Sequence, residues 1–355
     1  MPKIKVLIVD DSAYSRQTIK KMLETDPGID VSGISADGID AMAKTIKIKP
    51  DLITLDLEMP GMDGFSFLRW LMKKRPTPVI IVSSYSDSKT VFKALELGAA
   101  DFIAKPPKIA SIEFQKMEKE LLSKVKGIKD LRMDRLSKNL ELLEEDGDQQ
   151  TFPKGSAHDI EAVAIGASTG GPAALKIVLT RLPSDFPAGI VVSQHMPKGF
   201  TSSFAERLNG ISKVRIKEAT DGDEVEPGKV LICPGGYHLL FRKKGRRIVA
   251  TIKEPKNTDK YVPSVDMMMS SVAEVFGPKT LGVVLTGMGS DGTEGMLEIK
   301  KRGGYTIAES EDTAVVFGMP AEVIKAGAAG RVLPLSEIPL EIMKLVRETD
   351  QVNDS

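Results

Sequence analysis

Ile4-Lys5-Val6-Leu7-Ile8-Val9-Asp10-Asp11 is a short apolar run closed by two adjacent acids. Such a run reads as a buried strand whose carboxyl end is marked by charge, and the punctuation recurs along the first third of the chain. Val31 to Ile34, Leu52 to Leu55, Val79 to Ser83 and Asp101 to Ala104 are further apolar runs, each followed by a helix-length segment. Five βα units in succession predict a doubly wound α/β domain over residues 1–125, a parallel sheet with helices on both faces. Ligands of such sheets collect beyond the carboxyl ends of the strands, and here those ends carry Asp10, Asp11, Asp56, Ser83 and Lys105.

Adjacent carboxylates repel one another, and a hard divalent cation such as magnesium compensates them through oxygen ligands. With that charge and a lysine to neutralise phosphoryl oxygens, Asp56 becomes a candidate nucleophile that forms an acyl phosphate. Lys105-Pro106 is a candidate cis peptide, because proline lowers the cis penalty. Each residue alone has a plainer reading, Asp11 as a helix cap and Lys105 as a solvated strand-end cation. The joint pattern argues against the plainer readings. Val9-Asp10-Asp11-Ser12, Asp56-Leu57-Glu58-Met59-Pro60-Gly61-Met62-Asp63-Gly64 and Lys105-Pro106, in this order on five units, resemble the flavodoxin-like receiver domain of two-component response regulators. The resemblance implies phosphorylation of Asp56 by a histidine kinase and switching through Ser83. It also implies magnesium at Asp11 and Asp56, at Asp10 through a water, and at the backbone carbonyl of Glu58. Phe102 stands where many receivers carry a switch aromatic, commonly tyrosine.

Residues 126–157 turn polar, with Lys129-Asp130-Leu131-Arg132 and then Glu144-Glu145-Asp146-Gly147-Asp148, and read as a linker with a helical first half. A second domain is expected over 158–350, where the alternation resumes with strands at Ala162 to Ile165, Ile190 to Ser193 and Leu281 to Thr286. Lys229 to Ile232 and the basic turn Arg242 to Arg247 suggest antiparallel additions to a mostly parallel α/β sheet.

Gly166-Ala167-Ser168-Thr169-Gly170 lies between a strand and a helix candidate, Pro172 to Leu179. A serine on that turn projects its hydroxyl beside a helix N-terminus whose amides favour a developing oxyanion. Proline in the first helical turn supports the helix start. The bland alternative is a helix cap, so the serine needs a base. The chain has 3 histidines. His158 lies in the linker tail and His238 follows Pro234-Gly235-Gly236-Tyr237, whereas His195 ends a strand on the same sheet edge as Ser168. His195 is therefore the better base, and Asp291, again beyond a strand, is the candidate orienting acid. Gly287-Met288-Gly289-Ser290-Asp291-Gly292 also satisfies the G-x-G-x-x-G dinucleotide pattern. That reading is set aside because the strand is late in the domain and Asp291 would set a carboxylate against the pyrophosphate.

The order Ser168, His195, Asp291 differs from that of α/β-hydrolases, but triads are recognised by geometry rather than order. Ala164-Ile165-Gly166-Ala167-Ser168-Thr169-Gly170-Gly171-Pro172, Gln194-His195-Met196-Pro197 and Leu285-Thr286-Gly287-Met288-Gly289-Ser290-Asp291-Gly292 resemble the chemotaxis protein-glutamate methylesterases, the CheB family. With the receiver in front, the resemblance covers nearly the whole chain. It implies Ser168 attack on glutamyl methyl esters of chemotaxis receptors, His195 as base and Asp291 as its orienter. Oxyanion donors would lie near Thr169 and Met288. Deamidation of receptor glutamines, restraint by the unphosphorylated receiver and a role in sensory adaptation are implied too, with no cofactor for ester hydrolysis.

Composition bounds the alternatives. At 355 residues the chain exceeds the usual size of one core, and 41% hydrophobic with 28% charged residues fits a globular protein. A formal net charge of +0 argues against nonspecific nucleic-acid binding. Cys233, the single cysteine, fits a reducing, cytoplasmic compartment. Met1 to Asp11 is too short and too quickly acidic for a signal peptide or a membrane span, and no membrane insertion is expected.

Overall fold

The computed structural model describes residues 2–84, 88–105, 112–144 and 159–346. The chain divides into two compact units, Met1–Ser137 and Lys138–Ser355. The expected cis peptide at Pro106 and the histidine at 158 lie outside the described residues.

In the first unit, strands β1 (Ile4–Val9), β2 (Ile29–Ser35), β3 (Leu52–Leu55), β4 (Val79–Ser84) and β5 (Asp101–Lys105) alternate with helices α1 (Ala13–Glu24), α2 (Gly38–Ile48), α3 (Gly64–Lys74), α4 (Ser88–Glu96) and α5 (Ile112–Lys126). The strand order is β2-β1-β3-β4-β5, and every pairing is parallel. Central β1 is covered on both faces, so Val6, Leu7, Ile8 and Val9 are all buried; this is why it reads as an unbroken apolar run. Side chains at the helix starts stop the runs: Ser12 accepts from the Ser15 amide at α1, and Asp37 accepts from Ile39 and Asp40 at α2. From β1 the chain moves first to β2 on one side and then to β3 on the other. The crevice between β1 and β3 is thus a topological switch point, the usual ligand position of this architecture.

Helix α6 (Met133–Glu144) forms the helical first half expected for 126–157. Its second half is tied to the C-terminal unit, where Asn139 Nδ2 donates to the Thr313 carbonyl at 3.1 Å and Arg181 Nη2 to the Leu142 carbonyl at 3.4 Å.

The second unit contains strands β6 (Ala162–Ala167), β7 (Gly189–Gln194), β8 (Arg215–Glu218), β9 (Lys229–Ile232), β10 (His238–Lys244), β11 (Arg247–Lys253), β12 (Thr280–Val284), β13 (Tyr305–Glu309) and β14 (Arg331–Leu333). Its helices are α7 (Gly171–Thr180), α8 (Thr201–Asn209), α9 (Val265–Phe276), α10 (Thr293–Lys301), α11 (Met319–Lys325) and α12 (Ile338–Val346). Seven strands form one sheet in the order β14-β13-β12-β6-β7-β9-β8, with parallel pairings throughout. β10 and β11 form a separate antiparallel hairpin.

The hairpin is the expected antiparallel excursion, but Lys229 to Ile232 is not part of it. That segment, β9, lies parallel between β7 and β8. Residues 219–228 return the chain to the starting edge of the sheet on the way, bridging Glu224 to Val249 of β11. A run of four apolar-biased residues carries no direction of its own, so the connection decides it. The switch point of this sheet lies between β6 and β12, because the chain leaves β6 toward β7 and later returns to its other side. Met268, Met269, Val272 and Ala273 of α9 are buried in the core cluster that includes Ala162 and Ala164 of β6. The N-terminus of α9 is thereby fixed against the carboxyl end of the sheet, where Gly166 leaves room for Val265.

Candidate active site and phosphoacceptor site

At the first switch point, ligand oxygens of Asp10, Asp11 and Asp56 lie within 4.8 Å of one another. Asp10 and Asp11 follow β1 and Asp56 follows β3, as the parallel register requires. Lys105, closing β5, reaches both: its Nζ is 2.8 Å from Asp10 Oδ2 and hydrogen-bonded to Asp56 Oδ2. Burial pushes the Asp10 carboxyl above its ordinary value despite the nearby ammonium. Burial also works against the charge on Lys105, but Asp10 and Asp56 outweigh it and hold the ammonium above its usual range. Three carboxylates against one lysine leave a net negative pocket of hard oxygen donors, a donor set that fits magnesium. The Glu58 amide donates to Asp56 Oδ1 at 3.2 Å. Ser83 is buried at the end of β4, and Phe102 is buried on β5 with its ring edge-on to Phe92 at 6.3 Å. Arg16, not singled out from the sequence, donates to the Asp10 and Asp11 carbonyls at 2.7 and 2.8 Å and braces the acidic loop.

At the second switch point the candidate triad is joined in one line. His195 Nδ1 is 3.1 Å from Ser168 Oγ, and His195 Nε2 is 2.7 Å from Asp291 Oδ2. An ionised carboxylate only accepts, so the Nε2 proton faces Asp291 and Nδ1 keeps its lone pair for the serine hydroxyl. Ser168 is half-buried on the turn from β6 into α7, which begins with Gly170 in the left-handed conformation at φ 79 and a proline in the first turn. A Cβ on Gly170 would come within 2.9 Å of Val315 as well, so the turn excludes a side chain twice over. Gln194 Nε2 holds both partners by donating to the carbonyls of Ser168 at 2.9 Å and His195 at 3.1 Å. Tyr261 stacks on the imidazole with centroids 5.1 Å apart and planes at 8°.

Asp291 is 1% exposed and accepts from four donors. Besides His195, these are the amides of Val265 at 2.7 Å and Asp266 at 2.9 Å and the hydroxyl of Ser264 at 3.1 Å. The carboxylate therefore sits across the positive end of α9. Burial opposes its charge, but the His195 contact and these amides prevail and hold the carboxyl below its ordinary value. Asp266 in turn accepts from the amides of Gly292 and Gly295 at 2.9 and 2.8 Å, capping α10. Helices α9 and α10 thus exchange carboxylates at their N-termini.

Burial, aided by the nearby Asp291 charge, pushes Asp266 up to about 6. The folded protein holds that proton more tightly than the unfolded chain does. The contribution to stability is therefore favourable at low pH and is lost as pH rises toward 6. Asp266→Asn removes the dependence, and its thermal stability relative to the parent protein rises between pH 4.5 and 7.5, by about 1 kcal/mol once solvent screening is allowed for. Thermal unfolding at the two pH values checks this; a gap that stays constant or shrinks contradicts it.

Thr169 is buried and its carbonyl accepts from Thr286 Oγ1 at 3.0 Å, while Met288 is half-buried in the loop after β12. The Ser168 amide is engaged with the Thr286 carbonyl and the Gly287 amide with that of Val316. Gly287 admits the serine, since a Cβ there would lie 2.8 Å from Ser168 Cβ. Cys233 is buried, and burial pushes its thiol well above its ordinary value, which removes it as a rival nucleophile. His238 is not in the triad; it is 0% exposed and paired with Asp259. Sequence reasoning missed Ser264, Tyr261 and Gln194. The available signal was Pro263-Ser264-Val265-Asp266, a helix-start pattern, although nothing in it points to the distant Asp291.

Among the described residues, no helix is long and apolar enough to cross a membrane. The family described as CheB methylesterase matches residues 163–342, and that described as response regulator receiver domain matches residues 6–114. A protein-glutamate methylesterase/protein-glutamine glutaminase of Geobacter sulfurreducens is 49% identical, over 97% of this chain and 98% of its own. One of Myxococcus xanthus is 45% identical over 97% of each chain. The crystal structure of the Thermotoga maritima CheB methylesterase catalytic domain is similar with a TM-score of 0.51 and 45% identity, covering 52% of this chain and 98% of that one.

Proposed function

The chain belongs to the CheB methylesterase family, with a receiver domain ahead of its catalytic domain, and from that premise we propose that phosphorylation of Asp56 activates a Ser168-His195-Asp291 hydrolase acting on chemotaxis receptors. The reaction class is protein-glutamate methylester hydrolysis with protein-glutamine deamidation, as the relatives' names state of them. The observation that carries the reading is the unbroken line from Ser168 Oγ through His195 to Asp291 at the switch point of the sheet.

The chemistry follows from that line. Ser168 Oγ bonds to the ester carbonyl carbon as its proton passes to His195 Nδ1. Asp291 keeps the proton on Nε2 and stabilises the imidazolium, with the stacked Tyr261 holding the ring plane. Thr169 and Met288 amides meet the oxyanion, a contribution of about 3 kcal/mol per donor. The tetrahedral intermediate expels methoxide, which leaves as methanol with the Nδ1 proton. A water, deprotonated at Nδ1, then attacks the acyl-serine and releases a glutamate side chain. With a glutamine the leaving group is ammonia and the other steps are unchanged.

In the receiver, Asp56 accepts the phosphoryl group from a histidine kinase, and Lys105 neutralises its oxygens. Asp11, Asp56 and the Glu58 carbonyl, with Asp10 through a water, would hold magnesium, which would supply the charge stabilisation that phosphoryl transfer needs. Ser83 and Phe102 carry the signal outward. The single cysteine fits action in a reducing, cytoplasmic compartment.

Shifting a restrained state from 1:99 to 99:1 takes about 5.5 kcal/mol, so phosphorylation gives partial activation while removal of the receiver gives more. A fragment of residues 156–355 is expected to release methanol from methylated receptor membranes faster than the unphosphorylated whole chain, and magnesium with a small phosphodonor to move the whole chain toward the fragment. A fragment no faster than the whole chain contradicts the restraint. Hydrolysis of small acyl esters without action on methylated receptors contradicts the substrate.

A further inference from the structure

The buried His238 adjoins the shell that holds Asp291. His238 opens β10, its Nε2 lies 3.0 Å from Asp259 Oδ2, and the Ser264 amide donates to its Nδ1 at 3.2 Å. A backbone amide can only donate, so Nδ1 is unprotonated and the imidazole proton is on Nε2, facing the carboxylate. Ser264 is the N-cap of α9, accepting from the Met267 amide, and its hydroxyl donates to Asp291 Oδ1 at 3.1 Å. The next two amides, Val265 and Asp266, donate to the same Asp291 carboxylate. Ser264 is therefore pinned on one side by His238 and on the other by the acid of the triad.

We propose that His238 is a positioning residue for the hydrolytic reaction: with Asp259 fixing its tautomer, it anchors the Ser264 amide and so sets the helix end that holds Asp291 against His195. It touches no substrate. The acceptor at Nδ1 is the working atom, and Asp259 serves to keep the proton off it. Asp259 is suited to this because its Oδ2 also accepts from the Lys256 amide at 2.7 Å, which fixes the carboxylate on the hairpin side. The structure thus contains two His-Asp pairs in series, Asp259-His238 and Asp291-His195, joined through Ser264. The inference rests on the reading of Ser168 as nucleophile.

Two amide side chains separate the two imidazole nitrogens. Asparagine at 238 sets an acceptor near the Nδ1 position and forgoes Asp259, whereas glutamine reaches the Nε2 position and leaves the Ser264 amide without an acceptor. Methanol release by the full chain is expected to stay within about threefold of the parent for His238→Asn and to fall about tenfold or more in kcat for His238→Gln, with KM unchanged. The low-field proton resonance of the His195-Asp291 hydrogen bond, followed by NMR, is retained in the first and shifted or lost in the second. A second arm leaves the buried ring in place. Asp259→Ala frees the tautomer and lowers kcat several-fold, and Asp259→Asn, which still accepts from Nε2, restores it.

Equal rates for the two His238 variants, or Asp259→Ala at the parent rate, overturn the proposal, as does an unchanged resonance in His238→Gln. Absence of methanol release from the parent protein would instead overturn the reading of Ser168. The resonance still tests His238 in that case, because it needs no turnover.

Discussion

Ser168→Ala is expected to lower methanol release from methylated receptors by a factor on the order of 10⁶, the scale seen when the nucleophile of a concerted triad is removed. The size follows from how the site divides its labour. On the proposed mechanism no acyl-enzyme forms without the hydroxyl, and His195 and Asp291, joined to it in one line, have no proton to move. What remains is substrate binding and the oxyanion amides, which still act on a water. The fold should survive, because the turn is held by backbone and by Gln194. Gly171 donates to the Ser168 carbonyl at 2.8 Å, the Ser168 amide donates to Thr286 at 3.1 Å, and Gln194 adds its bond at 2.9 Å. The lost side-chain hydrogen bond accounts for about 1 kcal/mol of stability. Unfolding and turnover measured on one preparation separate the effects; a variant that retains turnover within tenfold sinks Ser168 as the nucleophile.

The second large effect is expected of Asp291→Asn, with a loss of about 10⁴ in kcat. An asparagine has one acceptor oxygen where the carboxylate has two, and its amide nitrogen can only donate. Four donors converge there: His195 Nε2, the Val265 and Asp266 amides and the Ser264 hydroxyl. Whichever way the amide turns, a donor faces a donor. If His195 yields, its proton moves to Nδ1 and it can no longer accept from Ser168; if α9 yields, the Asp266 amide loses its acceptor, and in either orientation the helix end loses its anion. Both lower activity, and the second also lowers stability, by about 1–3 kcal/mol. Asp291 is held below its ordinary value in the folded state, so its stabilising contribution is present above the unfolded value and is lost as pH falls through the folded one. The stability difference between parent and Asp291→Asn therefore narrows in acid. A difference that widens there, or a variant with parental kcat, contradicts the assigned role.

The parts of this molecule legible in sequence share one physical property. Parallel strands covered on both faces must be apolar throughout, so β1, β3, β6 and β7 stand out as runs, and polar residues at their carboxyl ends stand out as exceptions. Asp10, Asp56, Ser168 and His195 are such exceptions, which is why both constellations could be assembled before the sheet was known. Asp291 is one step harder, because β12 ends at Val284 and a loop intervenes. The direction of β9 was not legible, since Lys229 to Ile232 has the same apolar bias in either orientation and residues 219–228 decide it. Nor was the support of Asp291 by Ser264, Val265 and Asp266. Two of those donors are backbone amides, which any residue supplies, and their aim depends on the buried face of α9. His238 was legible as a histidine but not as a contact, because its meeting with Ser264 depends on how the hairpin and the helix pack.

The most direct measurement is methanol release from methylated chemotaxis receptor membranes by the full chain, with and without magnesium and a small phosphodonor, run beside Ser168→Ala and Asp56→Asn. Release that the phosphodonor stimulates in the parent, that loses the stimulation in Asp56→Asn, and that vanishes in Ser168→Ala is the predicted result. Release that persists in Ser168→Ala, or no release from the parent under either condition, would contradict a phosphorylation-controlled serine methylesterase.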